Sequence, residues 1–111
     1  MKNLDEVISE IESRLDEKDE VRELAIKSSR TIARLAGSVI QGMHRGEDAT
    51  SALGETREEV QKLRSLLEDH ADLLHAGFVE NAMQEACEAF LVHAILEGAR
   101  LPVPKECGVT D

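Results

Sequence analysis

The feature that most constrains the fold is an apolar stripe that runs through the N-terminal part of the chain without a proline. Its members recur at three- and four-residue spacing, with one small phase slip, at Leu4, Val7, Ile8, Ile11, Leu15, Val21, Leu24, Ala25, Ile32, Leu35, Val39 and Met43. This spacing predicts a single α-helix. Asn3 is placed to cap it, and Asp5 and Glu6 follow in the first turn, where negative charge complements the helix dipole. We expect this helix to reach about Arg45, far beyond the ~11-residue average of globular proteins, and to lie along partner helices over its whole length.

The remaining sequence also favours helices. Residues 46–54 predict a loop or a short broken helix, and apolar spacing over residues 60–67 predicts a second helix. A connection over residues 70–75 leads to a third helix over residues 76–97, closed by Gly98 and followed by Pro102 and Pro104. We therefore predict an all-α fold with three helices plus a C-terminal tail, forming a single helical domain over residues 1–111.

The third predicted helix is apolar around most of its circumference between Ala82 and Leu96. A helix of this kind is normally surrounded by protein. Because three helices are too few to surround one of their own members, we expect either additional helices or a homo-oligomer.

The distribution of charge is uneven along the chain. The formal net charge of -10 argues against nucleic acid as a ligand, because affinity for polyanions comes mostly from Lys and Arg. From Ile26 to Arg45, however, there is no Asp or Glu. Four cations in this stretch share a narrow sector of the helix and are called the basic stripe: Lys27, Arg30, Arg34 and Arg45. Such a stripe is typical of contacts to a phosphate backbone. The alternative is an ordinary solvated helix face that forms salt bridges with Glu58, Glu59 or another subunit.

Two carboxylates are candidates for metal binding. Glu85 and Glu88 stand three residues apart within a polar stripe of the third predicted helix, so both point the same way. Carboxylate oxygens are preferred ligands of Mg²⁺ and Mn²⁺, which polarise phosphates. The alternative is an ordinary solvated face, since this spacing is common on helices and two carboxylates rarely form a complete site.

Other chemistries are not supported. There is no Ser/His/Asp or Cys/His arrangement and no glycine-rich phosphate loop. Cys87 and Cys107 lack zinc-ligand spacing, and we expect both to be reduced thiols. With no signal-peptide pattern and no apolar run near the ~20 residues that span a bilayer, we expect a cytoplasmic protein without a membrane partner.

Two segments resemble the translin/Trax family, in its archaeal, Trax-like form. The stretch LDEKDEVRELAIKSSRTIARLAGSVIQGMHRGED is similar to the family's first helix, in which a K-x-S-R element precedes an apolar run that ends in H-R. Lys27, Ser29, Arg30, His44 and Arg45 occupy these places. The stretch HAGFVENAMQEACEAFLVHAILEGARL resembles the family's buried helix, whose Trax version reads Q-E-x-x-E-A, and here the matching run begins at Gln84.

The resemblance implies a function. Members of this family form helical protomers that assemble into an octameric barrel and bind single-stranded RNA or DNA. Trax-like members are metal-dependent endoribonucleases, so Glu85 and Glu88 would be catalytic ligands of Mg²⁺ or Mn²⁺. Family members are longer than this chain, and a later helix supplies a further carboxylate. We therefore expect this sequence to be the N-terminal half of such a domain, with little cleavage activity of its own. The alternatives are a non-catalytic, translin-like binding module and a helical assembly scaffold.

Overall fold

The structure, a computed structural model, describes residues 3–98. All regular structure in this part of the chain is helical: α1 (Leu4–His44), α2 (Thr50–Leu66), α3 (Ala71–Leu74) and α4 (Gly77–Leu96). The all-α prediction is therefore confirmed. The predicted tail, with Pro102, Pro104 and Cys107, lies outside the described residues. No helix of the described part is both long and apolar enough to cross a bilayer.

α1 begins at the predicted cap and ends close to the predicted limit at Arg45. Asn3 Oδ1 accepts a hydrogen bond of 2.9 Å from the backbone N–H of Glu6, as expected of an N-cap. At the other end the N–H of Gly46 donates to the carbonyl of Met43 at 3.0 Å, and the N–H of Glu47 donates to the carbonyl of Gly42 at 2.9 Å. These two bonds are a Schellman motif, which needs a left-handed residue, and Gly46 has φ 76°.

The second helix begins earlier than predicted. Residues 46–54 were expected to form a loop or a short broken helix, but α2 starts at Thr50 and includes Gly54. The reason is a turn just before the helix, in which Asp48 Oδ1 accepts hydrogen bonds from the N–H of Thr50 at 3.0 Å and from its hydroxyl at 2.7 Å. Burial of Leu53 then anchors the first turn to the core.

The connection between α2 and α4 contains a single helical turn. α3 lies within residues 70–75, which were predicted as a connection, and its Leu73 is buried in the core. α4 then runs from Gly77 to Leu96 and stops before Gly98, whose φ is 68°, close to the predicted limits.

The core lies where the C-terminal half of α1 packs against α2 and α4. α2 returns antiparallel to α1, since Ser28 Oγ donates to Glu59 Oε1 at 3.0 Å. α4 runs parallel to α1 and begins near Arg22, which lies over the ring of Phe78. Small side chains let the helices approach closely, while branched residues fill the space between them. The members of the core include Ala25, Ile32, Ala36, Val39, Val60, Leu63, Val79, Ala82, Ala86, Ala89 and Phe90.

The N-terminal part of α1 extends beyond this bundle. α1 has 41 residues, whereas α2 has 17 and α4 has 20. Lys18, which pairs with Asp72 of α3, marks where the bundle ends, and the first buried residue of α1 is Ala25. Residues 4–17, called the projecting segment, are therefore about 21 Å of helix with no described helix beside them. The expectation that α1 lies along partner helices over its whole length is wrong for the described residues.

α4 is less enclosed than its sequence predicted. One face is buried against the bundle through residues such as Ala86 and Ala89. On the outward face, Leu91 and Val92 are half-buried, while Ile95 and Leu96 are each 62% exposed. The expected enclosure therefore fails at the C-terminal end of α4 within the described residues.

Candidate nucleic-acid interface

The basic stripe lies on the face of α1 that points away from the bundle. Lys27, Arg30 and Arg34 are all exposed, whereas Ile32 and Ala36 are buried on the opposite side of the same helix. Because side chains three and four residues apart project together on a helix, the three cations form one continuous surface. The prediction that Lys27, Arg30 and Arg34 share a face is thus confirmed, whereas Arg45, the fourth member of the basic stripe, follows the last residue of α1.

These three cations have no carboxylate partner among residues 3–98. The salt bridges with Glu58 and Glu59 that the alternative interpretation named do not form among residues 3–98: Glu59 instead accepts from Ser28 and lies 3.9 Å from Lys62 Nζ. The positive charge of Lys27, Arg30 and Arg34 is therefore not neutralised within the described part of the protein, and it faces solvent.

Arg45 differs from the other members of the stripe. Its Nε lies 2.9 Å from Glu47 Oε1 and its Nη2 lies 3.3 Å from Glu47 Oε2. The hydrogen bond and charge of Glu47 raise the pKa of Arg45, and Arg45 in turn lowers the pKa of Glu47. Arg45 thus contributes less positive potential to the surface than its three neighbours do.

Ser29, the serine of the K-x-S-R element, does not belong to this surface. Its side chain is buried, and its hydroxyl has no hydrogen-bond partner among residues 3–98. A small side chain at this position lets α1 pack closely on its neighbours. Within that element, the lysine and the arginine face solvent and the serine faces the core.

Glu85 and Glu88 lie together on the outward face of α4. Both are exposed, as are Asn81 and Gln84 on the same face, whereas Ala86 is buried. Neither carboxylate pairs with a cation in the described part of the chain. The pair therefore faces solvent and is not desolvated.

The two glutamates do not form a complete metal centre from the described residues. No group of three or more His, Cys, Asp or Glu side chains suited to one metal ion occurs among residues 3–98. A divalent cation of this kind takes about six oxygen ligands, so water, substrate phosphates or another protein segment would have to supply the remainder. Glu85 and Glu88 would hold one side of such an ion.

Two cation–ring contacts were not anticipated from the sequence. Arg57 of α2 lies over the ring of Phe90 of α4, with its Cζ 5.0 Å from the ring centroid, and Arg22 lies 5.6 Å from the centroid of Phe78. Spacing along one helix carries no information about such contacts, because they join residues of different helices. These contacts involve both phenylalanines of the protein, which contains no Trp or Tyr.

Comparisons with models of protein families, with curated protein sequences and with solved structures find no match for this chain. The resemblance to translin and Trax therefore stands on the quoted residues alone.

Proposed function

We propose that this chain is a nucleic-acid-binding module of the translin/Trax type, whose basic stripe contacts the phosphates of single-stranded RNA or DNA. The observation that carries the proposal is the set of three exposed, unpaired cations, Lys27, Arg30 and Arg34, in a stretch without acidic residues. In a chain of net charge -10, such a surface provides local attraction for a polyanion. The preference for a single strand comes from the family resemblance.

The chemistry of the surface favours binding without sequence preference. Stacking of bases on exposed aromatic rings is the usual route to firm base contacts in single-stranded complexes. Here Phe90 is buried and Phe78 is half-buried, and an arginine lies over each ring. Phosphate contacts should therefore dominate the affinity, and phosphates are the same in every sequence.

Charge reversal of Arg30 and Arg34 tests the proposal. We expect Arg30→Glu/Arg34→Glu to weaken binding of a fluorescent single-stranded RNA at least tenfold at low salt, measured by anisotropy. Because each phosphate contact on a single strand contributes ~0.7 to the salt slope, the magnitude of the slope should fall by about 1.4. The matched control is Lys62→Glu/Arg64→Glu on exposed positions of α2, which makes the same change in net charge. An equal loss in both variants would show that net charge, not the stripe, governs binding.

Endoribonuclease activity is a second candidate, and the exposed, unpaired Glu85 and Glu88 favour it. They are available to hold Mg²⁺ or Mn²⁺ against substrate phosphates, with further ligands from elsewhere. Where RNA cleavage with Mg²⁺ or Mn²⁺ is observed, we expect Glu85→Gln/Glu88→Gln to abolish it and leave RNA binding nearly intact, because an amide keeps the shape but ligates metal poorly. Glu58→Gln serves as the control. If cleavage persists after the double substitution, or if no divalent metal supports cleavage, the binding module remains the proposed function.

Assembly is part of the proposal. The exposed Ile95 and Leu96 at the end of α4 support association into a homo-oligomer, since burial of such residues is favourable. We also propose that the protein acts in the cytoplasm, where thiols such as Cys87 remain reduced.

A further inference from the structure

The projecting segment carries an apolar stripe that nothing in the described structure covers. Leu4, Ile8, Ile11 and Leu15 are 72%, 43%, 51% and 59% exposed. Their spacing of four, three and four residues is that of alternating d and a positions in a heptad, which is the seam by which one helix packs on another. A continuous stripe of large apolar residues marks an interaction surface better than scattered exposed residues do.

The stripe has a defined place in the fold. At 100° per residue its direction lies about 95° from the mean direction of the buried face of α1, which includes Ala25 and Ile32. A helix seated on the stripe would therefore lie to one side of the direction in which α2 and α4 pack on α1. Along α1 the site lies past Lys18 and α3, beyond the end of the bundle.

The charges around the stripe define the chemistry of its occupant. The projecting segment contains six carboxylates and one cation, Arg14. Asp5, Glu12 and Asp16 follow one another along one edge of the stripe at helical spacing. A helix that covers the stripe brings its own flanking residues against this edge, and Lys or Arg there would form favourable pairs while Asp or Glu would be repelled.

A second copy of this chain is a poor occupant. Parallel pairing would place two projecting segments side by side, each with six carboxylates and one cation, so the two copies would repel each other. Antiparallel pairing brings the same charges together and sets Asp5 opposite the other copy's Glu12, and the reverse, so that like charges meet twice. Two other surfaces of a second copy are also unsuitable. Its basic stripe has no large apolar residue that could cover the site, and the apolar end of its α4 is flanked by Glu88 and Glu97, which the acidic edge would repel.

We propose that the projecting segment docks an amphipathic helix whose apolar stripe is flanked by lysine or arginine. The apolar contacts provide most of the affinity, and the edge formed by Asp5, Glu12 and Asp16 selects a basic partner and fixes its position. This surface is separate from the basic stripe of the proposed nucleic-acid site, since it involves residues 4–17 only.

Two synthetic helical peptides test the proposal on the full chain. Both carry Leu and Ile at a and d positions; one has Lys at the flanking positions and the other has Glu. We expect the Lys peptide to bind at least tenfold more tightly than the Glu peptide at low salt, measured by fluorescence anisotropy, with the difference shrinking as salt screens the charges. Glu12→Lys/Asp16→Lys should reverse the preference. Ile8→Ser/Ile11→Ser should weaken binding of the Lys peptide at least tenfold.

These substitutions contact no core residue, so circular dichroism should show an intact bundle in each variant. Equal binding of both peptides, or an unchanged preference in Glu12→Lys/Asp16→Lys, would overturn the proposal. So would a dimer of the unmodified chain that Ile8→Ser/Ile11→Ser dissociates, because a second copy would then be the occupant. Loss of RNA binding in Arg30→Glu/Arg34→Glu is a separate result, since those residues lie outside the projecting segment.

Discussion

At the level of single residues, Gly46 shows how one residue without a side chain ends a helix of exceptional length. Its φ of 76° lies in the left-handed region, and its N–H donates to the carbonyl of Met43. A residue with a Cβ is strained in this conformation by about 1–2 kcal/mol. The turn at Gly46 lets the chain reverse, so that α2 packs against α1.

We expect Gly46→Ala to lower the free energy of unfolding by about 1 kcal/mol, measured by urea denaturation. Gly54→Ala is the matched control, because Gly54 lies exposed within α2 and a Cβ there meets nothing within 4 Å. This control should raise stability by up to ~1 kcal/mol, since alanine is the better helix former. If both substitutions changed stability in the same direction, the left-handed turn would not be the reason for the glycine at position 46.

At the scale of elements, α1 is one helix with two different environments. Its C-terminal half contributes Ala25, Ile32 and Val39 to the core, whereas the projecting segment has only its own hydrogen bonds and side-chain pairs to hold it in shape. A helix without tertiary contacts is marginally stable in water, and most helical stability in proteins comes from packing. The projecting segment should therefore open locally at a lower free energy than the rest of α1.

The N-cap at Asn3 allows a test of this local behaviour. We expect Asn3→Ala to accelerate amide hydrogen exchange within residues 4–17 while changing the global free energy of unfolding by less than the ~1 kcal/mol that a cap usually contributes. Hydrogen exchange read by mass spectrometry gives the first quantity, and urea denaturation gives the second. Asp48→Ala, which removes the two hydrogen bonds to Thr50 at the start of α2, should instead lower global stability, because α2 is part of the bundle. If Asn3→Ala lowered the global free energy of unfolding by the full ~1 kcal/mol of a helix cap, the projecting segment would be coupled to the core.

At the scale of the whole molecule, the protein is elongated. The Cα radius of gyration is 17.9 Å and the principal extents are 65 × 23 × 19 Å. A compact domain of about this length would have a radius of gyration of roughly 13 Å. The difference arises because α1 is longer than the bundle that packs against it.

We expect small-angle X-ray scattering of the monomer at low concentration to give a radius of gyration near 18 Å. An antiparallel pair joined through the projecting segments would have a maximum dimension on the order of 100 Å, so scattering separates these two states. Association through Ile95 and Leu96 of α4 would increase the width of the particle as well as its length. A compact value near 13 Å would show that the projecting segment folds back onto the bundle.

Features that depend on neighbouring residues were predictable from the sequence. The apolar spacing identified α1 and α4, Asn3 marked the start of α1 and Gly98 marked the end of α4, because caps and helix faces involve residues within about one turn of each other. The absence of acidic residues from Ile26 to Arg45 likewise predicted a basic helix face. The early start of α2 escaped prediction because the side chain of Asp48 and the burial of Leu53 outweigh the cost of Gly54.

Only the tertiary structure decided which of these groups are paired, buried or exposed. It showed that Arg45 forms a salt bridge with Glu47, whereas Arg30 and Arg34 have no partner among residues 3–98. It also showed that Glu85 faces solvent. It also limited the bundle to the C-terminal half of α1 and left the apolar residues of the projecting segment uncovered. These outcomes depend on where α2 and α4 lie relative to α1, and the positions of distant helices follow from packing and length, which spacing within one helix does not record.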